Sequence, residues 1–280
     1  MRLEEMALLG LPIHTEFGEM KPLSVYDYME VGGELVALSF DKLRCLHEIR
    51  LNQPEEKQES KEFTKVLEEL NETYSLKNVI ISFIPQFFSA YVEVLSRCWV
   101  MDEDLVVVDE EGKELKGQEA KRKVSFDFLQ QSSDEVFDAV RMMLLQINGQ
   151  SEQTAFLDPL LQRKKEQSLR LKESQKKDSG KSSSPDTSTM VSSVVAFSGL
   201  PYVEVLKFNI TQLIHTFQRI SLMKAHDSSV VIATVAHDSA NIVNWMENIE
   251  IKNDSNESSN FAIEYDKFKE QMGETLGGSD

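Results

Sequence analysis

The most apolar stretch of the chain, residues 76–99, contains a proline near its centre, and this combination restricts the fold more than any other feature. Pro85 cannot donate a backbone hydrogen bond, and its ring clashes with the preceding helical turn. The pattern therefore predicts a short helix that ends at Phe83 and a longer one from Pro85 to Trp99. The aromatic and aliphatic side chains of this stretch are expected to form a first core: Phe83, Phe87, Phe88, Tyr91, Val94, Leu95 and Trp99.

Short hairpins and amphipathic helices are predicted on both sides of this stretch. Residues 12–25 alternate in polarity around Gly18, which indicates a β-hairpin. Residues 104–116 place β-branched side chains before a glycine turn, which indicates a second hairpin. Apolar residues at helical spacing predict helices over residues 34–51, 55–73 and 133–149.

The composition changes after residue 160. Residues 161–181 hold eight Lys or Arg against three Asp or Glu, and residues 178–189 are rich in Ser, Asp and Thr. This composition favours a flexible linker, with a helix in its first half as an alternative. Beyond it, helices are predicted up to Gly199, after a cap at Asn209, and over residues 240–251.

The predicted fold class is mainly α, with two helical regions joined by a flexible basic linker and small β-hairpins in the N-terminal region. The predicted domains are an N-terminal helical domain with hairpins, the linker, a C-terminal helical domain and an acidic tail, at residues 1–160, 161–188, 189–251 and 252–280. The tail has seven acidic and three basic residues. It is expected to be solvated; the alternative is a partner-binding segment that uses its apolar residues Phe261, Ile263, Tyr265 and Phe268.

The net charge of −17 makes general binding of nucleic acid unfavourable, because an acidic surface repels the phosphate backbone. The basic linker could contact nucleic acid or an acidic partner, but it lacks interleaved aromatic residues for base stacking. We therefore expect a solubilising linker or an intramolecular partner for the acidic domains. Strictly apolar runs such as residues 79–81 are far shorter than the ~20 residues that span a bilayer. Cys45 and Cys98 lack metal-binding spacing, so we expect them to be buried reduced thiols in a cytosolic protein. From the net charge and the short apolar runs we expect neither nucleic-acid nor membrane partners.

Neither catalytic nor metal-binding motifs are evident. No nucleophile elbow, P-loop, dinucleotide-binding glycine pattern or zinc-protease motif is present, so we expect no enzymatic activity and no cofactor. His215, His226 and His237 recur every eleven residues, which on one continuous helix places neighbours ~16 Å apart and excludes a shared metal ion. Only a bend near Asp227 would let His226 and His237 converge. Asp227 and Asp238, each followed by Ser, are instead predicted to be helix N-caps.

Three blocks of residues occur in an order that is informative as a whole. They are Phe17 and Gly18 with residues 21–25 and Tyr28; Pro85, Phe87 and Tyr91; and residues 191–195, Gly199, Val203, Leu213, Phe217, Arg219, Ile220, Trp245 and Ile249. In this order the chain resembles the tail assembly chaperones of tailed bacteriophages, or prophages, of Gram-positive bacteria. These proteins are encoded near the gene for the tail tape-measure protein, and the resemblance covers about two thirds of the chain.

The resemblance implies a non-enzymatic role in tail morphogenesis. The implied partners are the tape-measure protein, tail tube subunits and a second copy of the chain, and the implied location is the host bacterial cytoplasm. The apolar faces of two predicted helices and Trp245 are the candidates for partner binding: Phe87, Phe88, Tyr91, Leu213, Phe217, Ile220 and Trp245. The alternatives are that these faces pack into the core, and that the protein is a structural part of the virion neck, tail or baseplate. A third class, an enzyme or host-takeover factor, would require a convergent polar pocket, which the sequence does not show.

Overall fold

Helices separated by turns and loops form most of the described structure, as the helical spacing of apolar residues predicts. The computed structural model describes residues 3–102, 104–109, 111–178, 185–236 and 242–246. Within these residues the helices are α1 (Leu3–Leu9), α2 (Val25–Ser39), α3 (Lys42–Leu51), α4 (Glu55–Gln58), α5 (Lys61–Thr73), α6 (Leu76–Phe83), α7 (Pro85–Cys98), α8 (Gln118–Gln131), α9 (Asp134–Ile147), α10 (Pro159–Asp178), α11 (Thr187–Ser198), α12 (Tyr202–Leu206) and α13 (Ile210–Ala236). The strands β1 (Ile13–Thr15), β2 (Gly18–Met20), β3 (Val106–Val108) and β4 (Glu114–Lys116) form two antiparallel hairpins, β1–β2 and β3–β4. The mainly α prediction with small hairpins in the N-terminal region is confirmed.

The chain groups into two compact units, each made of segments that are distant in sequence. The first contains the described residues of Met1–Val36, Ser89–Gly149 and Ser183–Lys252, and the second those of Ala37–Phe88 and Gln150–Ser182. The domain boundaries expected at residues 160, 188 and 251 stay predictions. Helix α10 occupies residues 161–178 of the linker expected at 161–188, whose flexibility also stays a prediction. The acidic tail, residues 252–280, lies outside the described residues.

The first hairpin requires glycine at position 18. Gly18 has a φ of +112°, and a Cβ added there would lie 2.8 Å from Nε1 of Trp99, so a side chain meets both strain and a steric clash. The hairpin is held against the end of α7, because the N–H of Lys21 donates to the carbonyl of Cys98 over 2.8 Å. The sequence therefore determines both the turn and the surface against which it packs.

The proline break is confirmed, since α6 ends at Phe83 and α7 begins at Pro85. Of the predicted core residues, Phe88, Tyr91, Val94 and Leu95 are buried, Phe87 and Trp99 are partly buried, and Phe83 is exposed. No single described helix combines the length and hydropathy of a membrane span; α6 and α7 meet that criterion only when counted together across their bend.

The single helix predicted over residues 34–51 is wrong. Helix α2 ends at Ser39, and α3 begins at Lys42 after an N-cap in which Asp41 accepts from the N–H of Arg44 over 2.7 Å. The break occurs because the intervening backbone pairs with a distant segment: the N–H of Gln153 donates to the carbonyl of Ser39, and the N–H of Asp41 donates to the carbonyl of Gln153. A long-range pairing thus overrides local helical periodicity.

A buried amide connects three segments of the first unit. Asn148, the C-cap of α9, accepts from the N–H of Leu23 over 2.8 Å and donates to the carbonyl of Leu144 over 2.8 Å. Its Nδ2 also lies 3.6 Å from Sγ of Cys98, and burial raises the pKa of that thiol to about 12. The other cysteine, Cys45, is a buried thiol in the second unit.

A network of ion pairs centred on Arg97 connects α2, α7 and α8 in the first unit. The guanidinium of Arg97 donates to Asp27 at 2.9 Å, to Glu30 at 2.8 Å and to Glu93 at 2.9 Å. Glu93 also accepts from Arg122 of α8. Because Arg97 is mostly buried and meets three carboxylates at once, this network is a stronger restraint than isolated surface ion pairs.

The second unit encloses a histidine among positive charges. Helix α3 packs against α5 and α6 and carries His47, which is buried. Burial, together with the positive charge of Arg44, lowers the pKa of the His47 imidazole to about 4. The neighbouring Arg50 is also buried and donates to the hydroxyl of Thr64 over 3.0 Å. His47 is therefore neutral in the folded protein near neutral pH.

Replacing Asn148 by Ala is expected to lower the free energy of unfolding by about 2–3 kcal/mol, because the buried N–H of Leu23 loses its acceptor. The matched control is Gln146→Ala, which removes an exposed amide from the same helix and is expected to change stability by less than about 0.5 kcal/mol. Urea unfolding followed by circular dichroism measures both. Equal losses in the two variants would contradict the assigned role of Asn148.

Acidification is expected to destabilise the protein through His47. Between pH 6.5 and about 4 the imidazole binds a proton in the unfolded chain but not in the folded protein. The free energy of unfolding therefore decreases as the pH is lowered through this window. The His47 contribution between pH 7 and 5 is about 2 kcal/mol. His47→Gln should flatten this dependence relative to His14→Gln, which alters an exposed histidine. Parallel stability–pH curves for the two variants would show that His47 is not responsible.

Candidate partner-binding surface

Helices α11, α12 and α13 are bounded by local signals that the sequence shows clearly. Gly199 ends α11 in the left-handed conformation with a φ of 72°, as expected for a glycine C-cap. Asn209 caps α13, since its Oδ1 accepts from the N–H of Gln212 over 2.8 Å. The predicted break at Gly199 and cap at Asn209 are both confirmed.

These helices share a core with the N-terminal segment of the first unit. Val25 lies in the same buried cluster as residues of α11 to α13: Val191, Val194, Val205, Ile210 and Leu213. Phe217 and Ile220 of α13 pack against this cluster and are partly buried. The first half of α13 is thus a core helix.

The second half of α13 leaves this core. Residues 228–236 contain no charged side chain, yet Val231 is 60% exposed and Val235 is 76% exposed. Asp227 lies inside the helix, so its prediction as an N-cap is wrong; the helix begins at Ile210 and continues through this position. Asp238 and His237 lie outside the described residues.

A short segment after α13 folds back along the helix. His226 Nδ1 lies 2.7 Å from the carbonyl oxygen of Val243, and Arg219 donates to the carbonyl of Trp245 over 2.6 Å. The N–H of Val243 donates to the hydroxyl of Ser229 over 3.1 Å. Residues 242–246 end in a turn rather than a helix, so the helix predicted over residues 240–251 is wrong there; the rest of that prediction lies outside the described residues.

The structure places the seven sequence-predicted binding residues in different surroundings. Leu213 is buried, Phe217 and Ile220 cover it, and Trp245 is partly buried. Tyr91 is buried and stacks on Phe137 with ring centroids 5.0 Å apart. Phe87 and Phe88 belong to the second unit, where Phe87 meets Phe40 edge-on and Phe88 is buried. Their role in partner binding stays a prediction.

Exposed apolar residues at the end of α13 were not among those candidates. We define the terminal α13 surface as Val230, Val231, Ile232 and Val235, all exposed. Val231, Ile232 and Val235 lie on one side of the helix, and grouped exposed apolar side chains are typical of interaction sites. The absence of charge from residues 228–236 could not have identified them, because the longer uncharged stretches 78–92 and 187–203 contain buried core residues.

Two charged or titratable groups on the earlier part of α13 have defined surroundings. Burial, with the nearby charge of Arg219, lowers the pKa of His215 on the core half of α13. Lys224 places its ammonium 4.7 Å from the centre of the Phe197 ring, a cation–π contact between α13 and α11. Among the described residues, no three His, Cys, Asp or Glu side chains are grouped closely enough to hold a metal ion.

Comparison with known proteins finds matches to an N-terminal and to a later segment of the chain. Residues 1–116 match the YomV N-terminal domain, and residues 175–250, which include α13, match the YomV second domain. The SPbeta prophage-derived uncharacterized protein YomV of Bacillus subtilis (strain 168) is 24% identical over 250 residues, which cover 89% of each chain. No solved structure matches the chain. These similarities point to a prophage protein of Gram-positive bacteria.

Proposed function

We propose that this prophage-related protein is a tail assembly chaperone that binds the tape-measure protein and tail tube subunits during tail morphogenesis. The prophage relationship and the sequence resemblance to tail assembly chaperones support this role. The structural observation that carries the proposal is the terminal α13 surface, which exposes apolar side chains on a helix anchored in the core.

The chemistry of the terminal α13 surface suits a helical partner. A tape-measure chain exposes long apolar helical stripes before the tail tube surrounds it, and these stripes need temporary cover. Val231 and Val235 are four residues apart, and Ile232 and Val235 are three apart, which is the spacing that helix–helix contacts use. The acidic remainder of the chain would keep the complex dispersed.

The proposed role is binding without catalysis and without a cofactor. The protein would act in the host bacterial cytoplasm, release the tape-measure protein as the tube polymerises, and be absent from finished particles. A structural protein of the virion would instead remain in the particle. Quantitative mass spectrometry of purified particles and of lysate from induced cells separates these roles.

The binding surface can be tested with a charge placed among its apolar side chains. Val235→Asp is expected to reduce recovery of co-expressed tape-measure protein about tenfold or more, because losing one buried apolar anchor costs at least about 1.5 kcal/mol. Val203→Asp is the matched control, since it introduces the same charge at an exposed valine of α12 and should leave recovery unchanged.

Three outcomes would count against parts of the proposal. Equal recovery with both variants would exclude the terminal α13 surface as the binding site. Stoichiometric presence in purified particles would favour the virion role. Recovery of unrelated host proteins alone, with absence from particles, would contradict the assembly role itself.

A further inference from the structure

Helix α10 is basic in a chain whose net charge is −17. Between Pro159 and Asp178 the sequence has seven Lys or Arg against three Asp or Glu. Most of this helix precedes residue 175, where the match to the YomV second domain begins. A concentrated positive helix on an acidic protein is a candidate for contact with a negative surface.

One exposed stripe of α10 combines this charge with leucines. Leu160, Lys164, Gln167 and Leu171 follow one another at intervals of four, three and four residues, so they share a face. Leu160 is 66% exposed and Leu171 is 62% exposed. Arg163 and Arg170, also exposed, extend the positive charge of this α10 stripe.

An exposed stripe of opposite charge runs along α5. Glu62, Lys65, Val66, Glu69 and Glu72 are all exposed at helical spacing, while Leu67 on the other side of the helix is buried. Residues 55–73, which include α4, hold seven acidic and three basic residues. The α5 stripe is therefore an acidic band around an exposed valine.

The two stripes are opposite in charge and similar in residue spacing and length. Leu160 to Leu171 spans ~16 Å of helix, and Glu62 to Glu72 spans ~15 Å. Within one chain, Arg163 of α10 forms an ion pair with Glu59 beside α4, so this combination of charges already occurs once in the fold. The remaining exposed charges of both stripes face solvent.

We propose that two copies of the chain pair through these stripes, with the α10 stripe of each copy against the α5 stripe of the other. A two-fold arrangement forms the contact twice, so the basic α10 stripe and the acidic α5 stripe of each copy both face a stripe of opposite charge. The leucines and Val66 supply apolar contact at the centre, because exposed ion pairs alone contribute little. The interface weakens as salt screens its charges. This inference does not rest on the proposed function.

The test measures the mass of the intact chain in solution by light scattering. At ~0.05 M salt and micromolar concentration the protein should have twice its 31.9 kDa mass, and at ~1 M salt it should be monomeric. Two charge-reversed variants follow, Lys164→Glu with Arg170→Glu and Glu69→Lys with Glu72→Lys. Each alone should raise the dissociation constant of the dimer about tenfold or more, because like charges then face each other in both contacts.

An equimolar mixture of the two reversed variants supplies the decisive comparison. In a mixed dimer both contacts regain opposite charges, so the mixture should return to the mass of a dimer. Lys113→Glu with Lys116→Glu, two exposed changes on the β3–β4 hairpin, is the matched control and should dimerise like the original chain. Circular dichroism confirms that each variant is folded.

Several results would overturn the proposal. A monomeric mass of the original chain at low salt would exclude the dimer. Failure of the mixture to recover the dimer while both variants are folded would exclude opposite-charge pairing between copies. A dimer that survives both reversals would require another surface, and lower stability of the reversed variants without a change of mass would assign the charges to contacts within one chain.

Discussion

The first unit depends on a junction between residues that lie nearly two hundred positions apart. The N–H of Val25 donates to the carbonyl of Phe208 over 2.6 Å, and Nδ2 of Asn209 donates to the carbonyl of Ala7 over 2.5 Å. Asn209 is at the same time the N-cap of α13. One residue therefore fixes where the long helix begins and which part of the N-terminal segment covers it. Because these groups are buried, leaving any of them without its partner would carry the desolvation cost of a polar atom in the core.

The junction covers the first half of α13 and leaves its second half outside the core. Val25 completes the buried cluster around Val194 and Leu213, and α1 packs against α13. Apolar side chains such as Leu213 in the first half of this helix are therefore covered. No comparable cover is present among the described residues for Val231 and Val235. The short segment that folds back is held mainly through polar bonds from Arg219, His226 and Ser229, which leave these valines exposed. An anchored base and an uncovered end are what a helix needs to present apolar side chains without losing its own structure.

Local signals in the sequence predicted the parts of this fold that depend on single residues. Pro85 ends one helix and starts another, Gly199 closes α11, and Asn209 caps α13, because each effect comes from the geometry of that residue and its immediate neighbours. The break between α2 and α3 could not be predicted in this way, since it depends on Gln153, more than a hundred residues away. Of the seven predicted binding residues, the apolar pattern could not separate Leu213, which is buried, from side chains that reach the surface. Apolar residues recur at the same helical spacing whether their face packs into the core or is exposed for a partner. Only the exposed fraction of the side chains in the structure distinguishes the two cases.

The placement of the two cysteines gives the protein a native pair of reporters. Cys98 lies in the first unit and Cys45 in the second, and both are buried. A thiol whose pKa is raised to about 12, as in Cys98, is almost entirely protonated near neutral pH, and protonated thiols react slowly with alkylating reagents. Modification of either sulfur therefore requires its surroundings to open first. Pulsed alkylation followed by peptide mapping would read the opening of each unit separately in the unaltered chain, and would show whether the two open together or one before the other.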